Sequence, residues 1–296
     1  MTQPMPRPFL GYTGNPLDRA DHLRRDEAAI QAARMHPSAR FLILDGLKPL
    51  MRMDGADLYW ARRSECPSGM QLFLGLDNEG APRFAVDGTP DDDIEARATD
   101  ARAAGAALGD ERAAVVAQAR SVLDWHRRHR FCAACGGPTE VRKAGYSRLC
   151  GACGAEHFPR VDPVVIMLAE KDGMALVGRG PRFPAGFFSA LAGFVEPGES
   201  LEEAVARELH EEAGIRVRDV RYGASQPWPF PSSLMMGAFA TADGFELALD
   251  ESEISEARWV SREEVRAALS GDGPWHAPPP LAIAHWLLAT WAAAAG

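Results

Sequence analysis

The stretch from Gly193 to Ile215 constrains this chain more than any other. It reads Gly193-Phe194-Val195-Glu196-Pro197-Gly198-Glu199-Ser200-Leu201-Glu202-Glu203-Ala204-Val205-Ala206-Arg207-Glu208-Leu209-His210-Glu211-Glu212-Ala213-Gly214-Ile215. A glycine-bearing turn runs into a helix start, with Ser200 as N-cap and Glu203 as its capping-box partner three residues on. The helix is expected to stop at Gly214, which can take the left-handed conformation beyond the last turn.

At about 100° per residue, Glu208, Glu211 and Glu212 fall within an arc of roughly 100°. Leu201, Val205 and Leu209 form an apolar stripe overlapping one edge of that arc. Carboxylates one turn apart, bordering buried surface, repel one another unless a cation sits between them. Such oxygen ligands suit Mg²⁺ or Mn²⁺, which also bridge to substrate phosphates. The alternative is an exposed acidic helix, the usual fate of a charge run, and the spacing argues against it.

The chain has 296 residues, long enough for two domains or two plus a small module. Apolar residues make up 46%, which suits a globular core, and 32 basic against 41 acidic residues leave a net charge of −9. No global field therefore draws in polyanions, and an anionic substrate has to be met by a local metal site. Met1–Leu10 holds prolines at positions 4, 6 and 8 and no long apolar run, so no signal peptide is expected there. No segment approaches bilayer-spanning length, and the expected location is cytoplasmic.

In chain order, residues 1–35 are polar, with a helix expected over Asp18–Met35. Strands are expected at Phe41–Leu44, Leu58–Arg62, Gln71–Leu76 and Arg83–Val86, separated by turns at Asp45-Gly46, Asp54-Gly55 and Asp77–Gly80. Alanine-rich helices follow, over Asp92–Ala107 and Asp110–Arg130. The basic run Trp125–Arg130 is read as a solvated helix end, against the alternative of a contact to RNA or phosphate. This first part reads as an α/β domain with no motif of its own.

Cys132-x-x-Cys135 and Cys150-x-x-Cys153, fourteen residues apart, form a four-cysteine zinc pattern. Gly136-Gly137 and Gly151 are expected to supply turns that bring amides to the sulfurs. Two disulfides or a redox pair are the alternatives, disfavoured in a reducing compartment. Four thiolates close the coordination sphere, so this zinc is expected to hold structure. Cys66 lies outside the pattern and is read as a plain reduced thiol.

From Asp162 the expected strands are Val164–Ala169, Met174–Gly178, Phe188–Ala192, Val217–Tyr222, Met235–Ala242 and Trp259-Val260, with helices at Arg262–Leu269 and Leu281–Ala294. Ten residues after the glycine–helix stretch stands Ser225-Gln226-Pro227-Trp228-Pro229-Phe230-Pro231-Ser232-Ser233. Its prolines stiffen the backbone, and it reads either as a loop that presents aromatics to a ligand or as a plug over the core.

Gly193, five residues, Glu199, seven residues, then Arg207-Glu208 and Glu211-Glu212 before Gly214-Ile215 resembles the Nudix box at every defining position. The array from Ser225 to Ser233, with the four-cysteine ribbon upstream, resembles the NADH pyrophosphatase branch of that family, which includes enzymes that remove NAD caps from RNA. The resemblance covers about residues 130–290. It implies a Nudix α/β/α sandwich over 160–296, a small zinc ribbon over 131–159 and an N-terminal α/β, Nudix-like domain over 1–130.

The resemblance further implies hydrolysis of the NAD(H) pyrophosphate to NMN(H) and AMP, with Mg²⁺ or Mn²⁺ held by the Ala192 carbonyl, Glu208, Glu211, Glu212 and Glu253. Glu208, Glu211 and Glu212 would carry the catalysis; which of them is the base stays open. Phe194 and Phe158 would clasp the nicotinamide ring, meeting across a homodimer boundary. Gln226, Pro227, Trp228, Pro229, Phe230, Pro231, Ser232 and Ser233, with Ala284, would line the rest of the pocket. Arg207 is expected to orient Glu199 or a neighbouring box carboxylate. Gly145 departs from the pattern, standing where a family member carries a substrate-contacting glutamate. The alternatives are a broader pyrophosphatase acting on ADP-ribose or other dinucleotides, and a non-catalytic regulator that binds nucleotide or RNA. The intact box argues against the regulator.

Overall fold

The computed structural model describes residues 10–109 and 111–294. The expected helix start at Asp110, and all of Met1–Leu10 save its last residue, lie outside them. The described residues form two compact units.

The N-terminal unit comprises 12–161 together with 228–232. It begins with α1 (Asp21–Arg24) and α2 (Glu27–Met35), separated at Asp26, whose carboxylate caps α2 by accepting from the Ala29 amide. One continuous helix over Asp18–Met35 is thus replaced by two, because the Asp26 cap competes with the helical backbone. The strands are β1 (Arg40–Asp45), β2 (Lys48–Arg52), β3 (Trp60–Ala61), β4 (Met70–Leu76), β5 (Pro82–Asp87) and β6 (Ala96–Ala98), in the order β4-β5-β1-β2-β6 with β3 also on β1. β1 runs parallel to β5. Phe41 and Ile43 on one face of β1, and Leu42 and Leu44 on the other, are wholly inaccessible, so both faces are covered. Phe41 stacks on Phe84 at 5.2 Å on the side that also receives Ile30 of α2.

The helix expected over Asp92–Ala107 is instead β6 followed by α3 (Ala101–Leu108). Asp100 accepts from the amides of Arg102 and Ala103 and so starts α3 late. The strand β2 has no clear alternating pattern around Pro49, and pairing with β1 and β6 creates it. Helix α4 (Glu111–Arg128) packs against β4.

The basic run at the end of α4 is solvated only in part, with Arg128 and Arg130 exposed and the residues before them drawn into the fold. Trp125 and His126 are buried, Arg127 pairs with Asp87 and Arg128 with Asp124. The ribbon follows as β7 (Thr139–Arg142), β8 (Ser147–Cys150) and β9 (Glu156–His157), all antiparallel. Its tie to α4 is polar and buried. Arg148, with no carboxylate partner among the described residues, donates from Nε to Thr139 Oγ1 at 2.7 Å and from Nη2 to the Thr139 carbonyl at 2.7 Å. Its Nη1 donates to His126 Nδ1 at 3.0 Å. A guanidinium can only donate, so Nδ1 accepts and the His126 proton sits on Nε2, 2.7 Å from the Gly145 carbonyl. Gly145 has φ +104°, and a Cβ there would stand 2.6 Å from Leu72 Cδ1. A glutamate at this position would have to displace Leu72.

The C-terminal unit holds Leu10, Gly11, 162–227 and 233–294. Its strands are β10 (Asp162–Lys171), β11 (Met174–Arg179), β12 (Leu191–Phe194), β13 (Val217–Trp228), β14 (Ser233–Ala242) and β15 (Glu256–Ser261). They lie in the order β13-β14-β10-β11-β15, with β12 also on β10. β10 is parallel to β14 and antiparallel to β11 and β12. Alternate residues of β10 part to opposite faces: Val165, Met167 and Ala169 pack with α5 (Leu201–Ala213), whereas Ile166 and Leu168 pack with α6 (Arg262–Ser270) and α7 (Ile283–Ala293). This is the expected α/β/α sandwich. Among the described residues no helix is long and apolar enough to cross a membrane.

Burial first, then the Arg148 charge, pushes the His126 imidazole down to about 4, with the Gly145 bond working the other way. The unfolded chain therefore takes up this proton first, near the ordinary 6.5. Stability carried by neutral His126 is complete above about pH 6.5 and is lost as pH falls toward 4, by about 3 kcal/mol at most. His126→Gln, which keeps one donor and one acceptor, is expected to flatten that part of a urea-midpoint profile. An unchanged profile contradicts the assignment.

Candidate active site

Helix α5 forms as its sequence dictates. Ser200 Oγ accepts from the Glu203 amide, Glu203 accepts from the Ser200 amide, and Gly214 closes the helix at φ +72°. Leu209, Val205 and Ala204 bury the inner face. Glu208 and Glu212 go down with them, only 7% and 5% exposed, while Glu211 stays on the surface.

What receives Glu208 is the backbone of β12. Gly193 lies opposite Val165 of β10, and a Cβ on Gly193 would overlap the Glu208 carboxylate. The glycine is thus required by the carboxyl group seated on it. Ala192, the adjoining residue, lies opposite Ile166. Arg207 ties the helix to the turn: Nε and Nη2 grip Glu199 at 2.6 and 3.0 Å, and Nη2 donates to the Phe194 carbonyl at 2.8 Å. Its Nη1 meets Glu208 Oε1 and Glu211 Oε2, each at 2.9 Å. These bonds, Glu199 foremost, raise the guanidinium further above its already high range.

Glu212 has no such partner among the described residues. Its Oε2 is buried without a hydrogen bond. Burial first, then the charges of Glu208, Glu253 and Glu211, push its carboxyl up to about 8. Burial also raises Glu208, opposed by Arg207. Glu253 sits in the exposed turn before β15 and is close enough to contribute to both shifts. A buried carboxylate oxygen without a donor, among like charges, is costly unless a cation occupies the gap. The donor set is all oxygen, so these residues fit a hard divalent ion.

The four cysteines fit zinc by geometry. All four sulfurs lie within 4.8 Å of one another. Cys132 and Cys153 are 3.6 Å apart and Cys135 and Cys150 are 3.5 Å apart, unbonded. Tetrahedral bonds of about 2.3 Å to zinc place sulfurs about 3.8 Å apart. The left-handed glycines of the two knuckles are Gly136 and Gly154, both at φ +75°, whereas Gly151 is not left-handed. Each donates its amide to the carbonyl of the first cysteine of its knuckle. His157 Nε2 lies 3.2 Å from Cys132 Sγ. Cys66 stays apart, its thiol pushed up to about 11 by burial and then by Glu65.

The motif after the box is a hairpin, not a loop: Ser225–Trp228 end β13 and Ser233 begins β14. Gln226 is 0% exposed. Its Nε2 donates to the carbonyls of Gly11 and Leu281 at 2.9 and 2.8 Å, and its Oε1 accepts from the Ile283 amide at 2.8 Å. These bonds hold the start of α7 and leave no polar group for a ligand. Ala284 is likewise buried in the core.

Trp228 and Phe230 pack edge-to-face at 5.3 Å and both meet Tyr12. Arg102 and Arg120 lie over the Phe230 ring at 4.0 and 4.6 Å, and Arg120 donates to the Pro229 carbonyl. Pro229 is buried, and Pro227 and Pro231 are exposed. Ser232 Oγ donates to the Arg160 carbonyl at 3.0 Å, and the Ser233 side chain is buried. The plug reading therefore describes Trp228–Phe230. No local pattern announces Tyr12, Arg102 or Arg120 as its partners, since each lies more than a hundred residues away. Phe194 and Phe158 behave differently: their rings are 61% and 57% exposed, with Lys143 over the latter at 5.0 Å.

Two outcomes are expected. In metal-free protein, Glu212→Gln removes a buried acid whose ionisation is opposed by burial and by three other carboxylates, and should raise the thermal midpoint near neutral pH, while added divalent cation should stabilise wild type more than the variant. A lower midpoint in the metal-free variant contradicts the burial argument. Elemental analysis should find one zinc per chain, and a chelator strong enough to remove it should lower the unfolding midpoint; zinc-free protein of unchanged stability contradicts the tetrahedral assignment.

Comparison with known proteins agrees along the chain. The NUDIX domain family matches residues 159–280, the NADH pyrophosphatase zinc ribbon domain 127–158, and the NADH pyrophosphatase-like rudimentary NUDIX domain 38–125. The NAD-capped RNA hydrolase NudC of Mycobacterium bovis (strain BCG / Pasteur 1173P2) is 42% identical over 97% of this chain and 95% of its own. The NAD-capped RNA hydrolase NUDT12 of Homo sapiens is 48% identical over 62% of this chain and 42% of its own. With the box glycine under Glu208, the four-sulfur cluster and a relative matched over nearly its whole length, the chain belongs to the Nudix hydrolases, in the branch that carries the NADH pyrophosphatase zinc ribbon.

Proposed function

We propose that this protein hydrolyses the pyrophosphate of NAD(H) to NMN(H) and AMP, and that it removes NAD caps from RNA by the same reaction. The observation that carries this is the buried, unpartnered Glu212 carboxylate beside Glu208 on the box helix. It is joined by the resemblance to relatives named for NAD-cap hydrolysis over 97% of the chain. A site kept at this energetic cost suits catalysis better than a binding module, which has no need of a buried charge.

The Ala192 carbonyl, Glu208, Glu211, Glu212 and Glu253 would hold Mg²⁺ or Mn²⁺, which when bound would supply neutralisation of the pyrophosphate and acidification of a water. The chain's own residues set the geometry. Arg207 bonds Glu208 and Glu211 and ties them to the turn at Phe194. Gly193 lets Glu208 approach the β12 backbone. Phe194 offers a free aromatic face next to this backbone, suited to the flat nicotinamide ring. We place the second face at Phe158, supplied by the partner subunit of a homodimer. In this reading residues 1–130, 131–159 and 160–296 are the N-terminal, ribbon and catalytic domains. Gln226 to Ser233 and Ala284 shape the pocket through the fold they hold. Four reduced thiols and the nucleotide substrate suit a cytoplasmic enzyme.

NADH, NAD⁺, ADP-ribose and NAD-capped RNA should be assayed side by side. The nicotinamide-bearing substrates are expected to exceed ADP-ribose in kcat/KM, and Phe158→Ala is expected to raise KM for NADH by about fivefold with little change on ADP-ribose. Equal rates on ADP-ribose and NADH would mark a broader pyrophosphatase, and a monomer in light scattering would remove the shared nicotinamide clasp.

A further inference from the structure

The segment joining β11 to β12 carries an aromatic pair that the reaction as described does not use. Phe183 and Phe187 stack with ring centroids 4.9 Å apart and planes inclined by 21°. Phe183 is 51% exposed, the outer ring of the pair. Phe187 is pinned from behind: it bridges to His276, the Phe188 amide donates to the His276 carbonyl at 3.1 Å, and the His276 amide donates to Gly186 at 2.7 Å. The next ring, Phe188, is buried against Trp275.

The other end of the segment is also fixed. The Phe183 amide donates to the Gly180 carbonyl at 3.1 Å, and Arg179 Nη1 donates to the Phe183 carbonyl at 3.3 Å. Gly180 lies between this ring and the turn of Glu253. A Cβ built on it stands 3.2 Å from the Glu253 carbonyl oxygen and 3.8 Å from Phe183 Cδ2. The exposed ring therefore lies near the backbone of the turn that carries Glu253, and exposed Arg182 adjoins it in sequence.

We propose that Phe183, backed by Phe187, is a nucleobase-stacking platform at the rim of the site. The proposal rests on the pyrophosphatase reading above. A ring held in place before binding loses little freedom when a base settles on it. Aromatic faces beside basic side chains accept any base by stacking, and a single such contact is worth roughly tenfold in affinity or more. Two bases of the substrates offer this chemistry: the adenine of the dinucleotide, and the base of the nucleotide that follows it in capped RNA.

Wild type, Phe183→Ala and Phe183→Tyr should be compared on NADH and on NAD-capped RNA with Mg²⁺ present. Phe183→Ala is expected to lose about tenfold in kcat/KM through KM, and Phe183→Tyr, which keeps the π face, to stay within about twofold of wild type. Loss on both substrates assigns the platform to adenine; loss on capped RNA alone assigns it to the following base. Phe183→Ala unchanged on both, or Phe183→Tyr as impaired as Phe183→Ala, overturns the platform. Wild type inactive on both substrates overturns the pyrophosphatase reading instead, and that control is read without any variant.

Discussion

The seating of the Glu208 carboxylate on the backbone of Gly193 is the contact on which the site depends. It requires a glycine in β12, an acidic residue on the inner side of α5, and a guanidinium able to cross from helix to turn. Arg207 meets the last demand by bonding Glu199, Glu208, Glu211 and the Phe194 carbonyl at once. Each bond is charge-assisted and geometrically constrained, so together they fix the box turn against the helix. Glu212 is left as the buried acid that this network does not neutralise. Stability is given up locally, as is common where charge is to be focused on a substrate.

The ribbon depends on a buried polar contact of another kind. Arg148 reaches α4 without a carboxylate partner among the described residues, and it is tolerated because Thr139 and a neutral His126 accept its hydrogen bonds. The proton on His126 Nε2 then serves the Gly145 carbonyl. Charge on His126 would place two cations side by side in a site closed to water. The same packing explains the glycine at 145, whose missing side chain makes room for Leu72.

Rings in this protein divide by what holds them. Trp228 and Phe230 are consumed by packing on Tyr12 under two guanidinium groups. Phe194 and Phe183 keep exposed rings on backbone held by hydrogen bonds, and Phe158 exposes its ring just beyond β9. A buried aromatic mainly stabilises the fold, whereas an exposed one on a fixed backbone is preorganised for a flat ligand.

The caps of α5, the carboxylate arc and the two cysteine knuckles were all legible in the amino-acid sequence, because each depends on interactions within a few residues of the chain. Most strands of the sandwich were legible in place for the same reason, but β13 runs on to Trp228 through the motif read as a loop, and β12 starts three residues later than expected. What lay beyond reach involved partners distant along the chain. The break at Asp26 and the late start at Asp100 turned on single side-chain caps competing with helical periodicity. Pairing partners gave β2 and β6 their strand character, and Gln226, read as pocket lining, proved to be spent on Gly11, Leu281 and Ile283. The sequence by itself therefore determined which chemical groups stand together on each short element. Only the tertiary structure decided which of them are buried, paired or left open, because burial and hydrogen bonding are properties of the surroundings that distant segments supply.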